Sequence, residues 1–357
     1  MLTPILDVLR DLVRHYKVTL VLCTATQPAL ENSPYLQGFE HIEEIAPEPA
    51  RLFRRLRRVR YEVYSNEAWD WKKVAKELRS SPQALAVVNT RRDALSLLEQ
   101  LNDPDALLLS ALLCGTHRRA VIQEVKTHLK ENKPCRLVST QVVEAGVDLD
   151  FPLVLRAVGP LDRIVQAAGR CNREGRLPHG SVVVFEPSEG GLPRGAYRTG
   201  TDEARILLQM IQDKSLDLDD PSTYSMYFGR LYQAVDLDSK HIQELRRNFD
   251  FPEVARRFRM IESGEVPVVV RYEAPEKGTK EVDELLGKLQ HIKETPPRRL
   301  WRRLQPYTVN LPKRIFDKHL SNRLIREIAP GFHLWTGRYD AVKGLSEGPL
   351  NPEDFVL

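Results

Sequence analysis

Gln166, Arg170 and Arg173 fall at positions i, i+4 and i+7 of the segment DRIVQAAGRCNREG, the spacing that brings side chains onto one face of a helix. Two guanidiniums and a carboxamide on one short helix suit a polyphosphate. Permanently charged, bidentate donors stabilise the charge that develops on a phosphoryl group in transfer. An isolated RxxR also describes a solvated basic helix. Here, however, the pattern QxxGRxxR follows a second cluster, Ser139-Thr140-Gln141-Val142-Val143-Glu144-Ala145-Gly146-Val147-Asp148, and the combination is specific. The hydroxyls of Ser139 and Thr140 and the amide of Gln141 close the apolar run Leu137-Val138, where a strand would end.

Strands and helices must alternate to hold these groups. The apolar pattern predicts strands at 84–88, 106–109, 135–139, 153–158 and 181–185. Helices are predicted at 91–101, 118–130 and across the segment bearing Gln166, Gly169, Arg170 and Arg173. Earlier, residues 59–64 alternate in character as a half-buried strand does, and a helix follows at 68–79. Such alternation implies parallel strands joined by right-handed crossovers, hence an α/β doubly wound sheet. Ligands then gather at the carboxyl ends of the strands. Asn89-Thr90, Ser110 and Ser139-Thr140-Gln141 all occupy such ends. Asn89 or Thr90 would serve equally as a plain helix cap. His117 reads as a cap or a phosphate contact rather than a catalytic base.

STQVVEAGVDLD and DRIVQAAGRCNREG resemble motifs V and VI of superfamily 2 helicases, with wording closest to the CRISPR-associated helicase-nuclease family of type I systems. Cys23-Thr24-Ala25-Thr26-Gln27-Pro28 is similar to motif III, Val88-Asn89-Thr90-Arg91 to motif IV, and Ser110 with His117 and Arg118 to motif IVa. Tyr224 to Tyr232 and the segments 332–335 and 339–345 resemble elements that follow the second motor domain.

The resemblance implies a second RecA-like domain followed by a smaller mixed α+β accessory domain. It divides the chain into the remnant of a first RecA-like domain (1–30), the second motor domain (31–187), a linker (188–220) and the accessory domain (221–357). It also implies ATP and Mg2+, shared with a first motor domain that is missing. Arg170 and Arg173 would reach the γ-phosphate, and Gln166 would hold the cleft or the attacking water. Gly146 and Asp148 would lie by the nucleotide. Asn89, Thr90, Ser139, Thr140 and Gln141 would grip single-stranded DNA. Thr24, Ala25 and Thr26 would couple the two motor domains. The implied partners are the amino-terminal nuclease and motor half, in cis or in trans, and a CRISPR RNA-guided surveillance complex.

The absences are as informative. No GxxxxGK[ST] phosphate loop and no His-Asp dipeptide occur in the 357 residues. Asp283-Glu284-Leu285-Leu286 lacks a preceding apolar strand and reads as solvated helix. A helix (from Thr3-Pro4, a cap and a first-turn proline), an apolar strand (18–23) and then Thr24-Ala25-Thr26 match the order found after the acidic metal-binding box in the resembled family. The chain is therefore expected to begin just after that box and not to hydrolyse ATP alone.

The net charge of +4 conceals two arginine-dense runs, 51–60 and 298–303, suited to phosphate-backbone contact or to a solvated face. Four scattered cysteines (Cys23, Cys114, Cys135, Cys171) predict a reducing compartment and no metal site. No apolar run of membrane-spanning length occurs, so a cytoplasmic protein without a membrane partner is expected. Beyond residue 187 the pattern predicts a Pro/Gly-rich connection to Gly200 and a helix from Thr201. Further along it predicts a core helix at 251–261, a strand at 266–272, a charged helix at 280–293 and a proline break at 295–297.

Overall fold

The computed structural model describes residues 1–259, 264–275, 278–290 and 298–346. The predicted break at 295–297, and residues 260–261 and 291–293 of two predicted helices, lie outside the described residues; the helix predicted as core at 251–261 ends at Arg257 and buries none of its residues.

The chain begins with α1 (Leu2–Tyr16), α2 (Pro49–Arg55), β1 (Val59–Trp69), α3 (Trp71–Leu78), β2 (Gln83–Val87), α4 (Arg91–Leu101) and β3 (Leu107–Leu109). Next come α5 (Gly115–Lys130), β4 (Cys135–Ser139), β5 (Leu153–Ala157), α6 (Leu161–Ala168) and β6 (Gly180–Pro187). Then α7 (Ala196–Gln212), α8 (Pro221–Ala234), α9 (Ile242–Arg247), α10 (Phe251–Arg257), β7 (Glu265–Val269), α11 (Lys280–Gln290) and α12 (Arg298–Leu304) follow. The last elements among the described residues are β8 (Thr308–Pro312), α13 (Lys313–Ser321), β9 (Ile325–Ala329), β10 (Phe332–Trp335), β11 (Tyr339–Asp340) and β12 (Gly344–Leu345).

Six strands form a sheet of order β1-β6-β5-β2-β4-β3. The pairs β1/β6, β5/β6, β2/β4 and β3/β4 are all parallel, as the alternating pattern requires. A second, mixed sheet of order β8-β7-β10-β9 and the hairpin β11-β12 account for the remaining strands among the described residues. The architecture is α/β with a RecA-like parallel sheet and a smaller mixed sheet.

By contacts the chain separates into two compact units, Met1–Asp70 with Asp150–Glu262, and Trp71–Leu149 with Ser263–Leu357. In the first, Val154 and Leu155 of β5 and Val182, Val184 and Phe185 of β6 are excluded from solvent, and Arg156 of β5 is buried with them. Trp69, at the end of β1, stacks on Phe185 with ring centroids 5.7 Å apart. Leu6 of α1 packs with Leu30, Leu36 and Tyr232 in a smaller cluster. In the second unit, Ala84 to Val87 of β2, Val88 just after it, and Leu137 and Val138 of β4 are wholly buried. The faces of β7, β8, β9 and β10 close a further core with Val282, Leu285, Leu286 and Leu289 of α11.

Several boundaries differ from the sequence reading. Helix α1 begins at Leu2, so Thr3 lies inside it and does not cap it. Residues 18–23 form no strand: Val18, Val21 and Leu22 are exposed. A strand needs a neighbour for its backbone donors and acceptors, and among the described residues none pairs with this run. β1 continues through a bulge between Tyr64 and Ala68 to Trp69, which delays α3 to Trp71. α7 begins at Ala196, before the predicted Thr201, behind Gly195 at φ +74°. α6 ends at Ala168, so the helix predicted to carry Arg170 and Arg173 stops short of both. His117 is buried and does not cap α5, whose N-cap is Cys114.

Candidate nucleic-acid and nucleotide-binding sites

β2 and β4 pair in register from Gln83/Cys135 to Val87/Ser139, so their carboxyl ends lie side by side. The amide of Val88 donates to the Ser139 carbonyl at 2.9 Å, which extends the ladder to the point where both strands turn. Asn89 is buried, and Thr90 caps α4 by accepting from the Asp93 amide at 3.1 Å. Ser139 is inside the sheet, its hydroxyl within 2.9 Å of the Leu109 carbonyl and 2.8 Å of the Thr140 carbonyl. Gln141 opens a short 3-10 turn and donates its amide to the Asn89 carbonyl at 2.7 Å. Asn89, Thr90, Ser139, Thr140 and Gln141 are thus brought together at one rim. Gly146, at φ +70°, and Asp148 are exposed on the irregular segment beyond that turn.

His117 lies nearby in a different setting. Its ring stacks on Tyr272 at 4.4 Å, and Nδ1 is 3.0 Å from the Tyr339 hydroxyl. Burial pulls its pKa down to about 4, against weaker opposing contributions from the Ala341 backbone and Asp340. The imidazole is therefore neutral at pH 7 and is a packing element. Tyr339 also accepts from the Cys114 amide at 2.9 Å.

In the other unit, Gln166 is half-buried on α6 and accepts from Arg163 at 3.3 Å. Beyond Gly169 the chain makes a compact turn. The Phe151 amide donates to the Arg170 carbonyl, and the Asn172 amide donates back to the Phe151 carbonyl, both at 2.9 Å. These two bonds replace helix with a bridge between Phe151 and Cys171, which is why Arg170 and Arg173 do not share a helical face with Gln166. Arg170 is buried and Arg173 is exposed.

The sequence reading missed the residues that hold Arg173. Asp150 accepts from the Arg173 amide at 2.6 Å and from the Glu174 amide at 3.3 Å. Asn172, buried at φ 43°, donates to the Arg58 carbonyl at 2.9 Å and the Leu177 carbonyl at 2.8 Å, and accepts from the Leu177 amide at 2.9 Å. Arg58 in turn donates to the Arg173 carbonyl. A Cβ on Gly180 would come within 2.5 Å of Cys171 Sγ and 2.8 Å of Asn172 Cβ, so only glycine lets β6 start against this turn. No periodicity marks Asp150 or Asn172. The nearest signal was the short polar run around Asn172. Thr24 and Thr26 form a local turn, the Thr26 amide donating to the Thr24 hydroxyl at 3.4 Å, with Thr26 buried and Ala25 exposed.

Residues 80–176, which run from the lead into β2 to the turn after α6, match the family model for the CRISPR-associated nuclease/helicase Cas3, C-terminal. The Cas3 of Methanothermobacter thermautotrophicus is 25% identical over 299 residues, covering 73% of this chain and 35% of that protein. Over residues 80–176 the chain is similar to the carboxyl-terminal region of Cas3. The Cas3 of Haloferax volcanii is 39% identical over 102 residues, 25% of this chain and 11% of that protein. The ADP-bound crystal structure of T. fusca Cas3 superposes with a TM-score of 0.53 at 16% identity, covering 81% of this chain and 42% of that one. At that identity the Cas3 structure supports the fold. The chain spans about a third of the length of the first of these Cas3 relatives. Among the described residues, no helix is long and apolar enough to cross a membrane.

Proposed function

We propose that the chain is the second motor half of an ATP-dependent single-stranded-DNA translocase acting in CRISPR defence. It would supply arginines to a nucleotide and backbone contacts to DNA. The observation that carries this reading is the gathering of Asn89, Thr90, Thr140 and Gln141 at adjoining strand ends, within the stretch that matches Cas3. Amides and hydroxyls at strand ends and helix starts suit phosphate oxygens and read no base. Ser139 acts in this scheme from inside the sheet, holding the rim in shape.

ATP and Mg2+ would be shared with a complementary amino-terminal half. In that assembly Arg173, exposed on its turn, reaches the γ-phosphate, and Arg170 supports it from a buried position. Gln166 holds the cleft or the attacking water, Gly146 and Asp148 lie by the nucleotide, and Thr24, Ala25 and Thr26 couple the halves. Residues 1–30 belong with the first motor domain, 31–187 form the second, 188–220 link, and 221–357 are accessory. The wider partner is a CRISPR RNA-guided surveillance complex in the cytoplasm. The T. fusca Cas3 structures named for bound ADP and ATP support nucleotide use by that relative.

Without a phosphate loop the arginines have no phosphate cradle to act on, so the chain alone should not turn over ATP. DNA-stimulated hydrolysis tests this directly. The chain alone should be inactive. Addition of the amino-terminal half of a matched Cas3 protein should produce turnover, and Arg173→Ala should lower it by about 10³-fold or more with DNA affinity retained. Turnover by the chain alone, or an Arg173→Ala pair at full rate, would sink the proposal.

A further inference from the structure

The basic run 298–303 holds a tryptophan that the proposed function leaves unused. Trp301 is on α12, half-buried, and its ring meets Phe332 edge to face with centroids 5.1 Å apart. It lines a cleft of about 490 Å³ together with Arg91, Arg118, Glu265, Gln305, Thr308 and Asn310. Arg91 is the first residue of α4 and Arg118 is in the first turn of α5, so both guanidiniums stand near helix starts, where anions are favoured. Asn310 is exposed on β8, an edge strand of the mixed sheet. The Thr308 hydroxyl donates to the Gln305 carbonyl at 2.8 Å and so fixes that wall.

Two cations against one carboxylate, that of the exposed Glu265, leave the cleft net positive, and with an aromatic ring and two uncharged amides they form a combination suited to a nucleotide. The cleft falls within the volume range of small-molecule sites, roughly 300–1,000 Å³. Aromatic rings that accept bases without reading them are the usual partners of cationic grooves on single strands. Arg91 also directly follows Asn89 and Thr90, so a strand gripped at that rim has the cleft beside it.

We propose that this cleft takes one base of single-stranded DNA, stacked on Trp301, with its flanking phosphates on Arg91 and Arg118. The inference rests on the nucleic-acid reading above and adds a stacking site from the smaller sheet's side of the chain. It makes Trp301 a binding residue, although the resembled motifs do not include it.

The test is anisotropy of a labelled oligothymidylate of about twelve nucleotides, with the full chain at low salt, compared with an abasic strand of equal length. Trp301→Leu should weaken binding to the oligothymidylate roughly tenfold, and Trp301→Phe should retain most of it. On the abasic strand the wild type and both variants should bind alike. Arg118→Gln should weaken both strands and flatten the salt dependence. Unchanged binding by Trp301→Leu overturns the inference. So does an equal loss on both strands, which would report lost packing against Phe332. If the folded wild type shows no salt-sensitive binding to either strand, the underlying nucleic-acid reading falls, and this inference falls with it.

Discussion

Gln141 donates its side-chain amide to the backbone carbonyl of Asn89 across 2.7 Å, joining residues 52 positions apart at the ends of β4 and β2. The bond ties the turn after one strand to the turn after the other, so the two candidate DNA-contacting segments move as one rim. Removing the donor leaves a carbonyl on a buried residue without that partner. Gln141→Ala should therefore destabilise the chain by about 1–2 kcal/mol. Gln141→Glu should be at least as damaging near neutral pH, because a carboxylate cannot donate. Urea unfolding of the three proteins measures this, and a Gln141→Glu protein as stable as wild type would refute it.

Asn172 makes a similar argument for the turn bearing Arg173. Its side chain forms three hydrogen bonds within a buried turn, and its backbone is left-handed at φ 43°. Alanine loses the bonds and also strains the backbone, whereas glycine loses only the bonds. Asn172→Ala should cost about 2–4 kcal/mol, with Asn172→Gly milder by about 1 kcal/mol. Denaturation of both variants checks the order. An alanine variant equal to or more stable than the glycine variant would contradict the strain argument.

Sequence alone carried the sheet further than the site. The helix 91–101 and the strand 135–139 come out with the predicted boundaries, because apolar run length and turn residues are local signals. Strand 18–23 failed for the opposite reason. Its composition suits a buried strand, but strandedness depends on a neighbour that the pattern cannot supply. The grouping of Asn89 with Gln141 was readable because parallel strand ends converge by topology. The shape around Arg170 and Arg173 was not. It depends on the bridge from Phe151 to Cys171 and on the polar anchors Asp150 and Asn172, all long-range relationships without periodicity. His117 misled through its place in a motif, since its burial comes from Tyr272 and Tyr339, far away in sequence.

That burial has a pH consequence. The pKa of His117 falls from 6.5 to about 4 in the fold, chiefly by desolvation. Between those values the unfolded chain binds the proton and the folded chain does not, so acid favours unfolding. The stabilisation is fully present above pH 6.5 and is lost progressively as pH drops toward 4. A shift of this size corresponds to about 3 kcal/mol. His117→Gln removes the titrating group. Its stability should therefore fall less than that of wild type between pH 7 and pH 4.5. Parallel pH profiles in urea unfolding would contradict the assignment.

The four cysteines provide a probe of the exposed run 18–23. Cys23 is exposed, whereas Cys114, Cys135 and Cys171 are buried. Burial pushes the thiols of Cys135 and Cys171 up to about 12 and raises that of Cys114. Since the thiolate is the nucleophile, these three are both shielded and protonated at pH 8. A disulfide reagent should label one thiol quickly and the rest only as the fold opens, and Cys23→Ser should erase the fast phase. Fast labelling of more than one thiol would contradict the burial. Under the proposed function, the same phase reports assembly. If a complementary amino-terminal half pairs with residues 18–23 as a strand, it must cover the backbone and side chains around Cys23. Labelling should then slow in proportion to the bound fraction, while the buried thiols keep their unfolding-limited rates. A fast phase untouched by a half that restores ATP turnover would separate the two, leaving catalysis intact and this run outside the assembly interface.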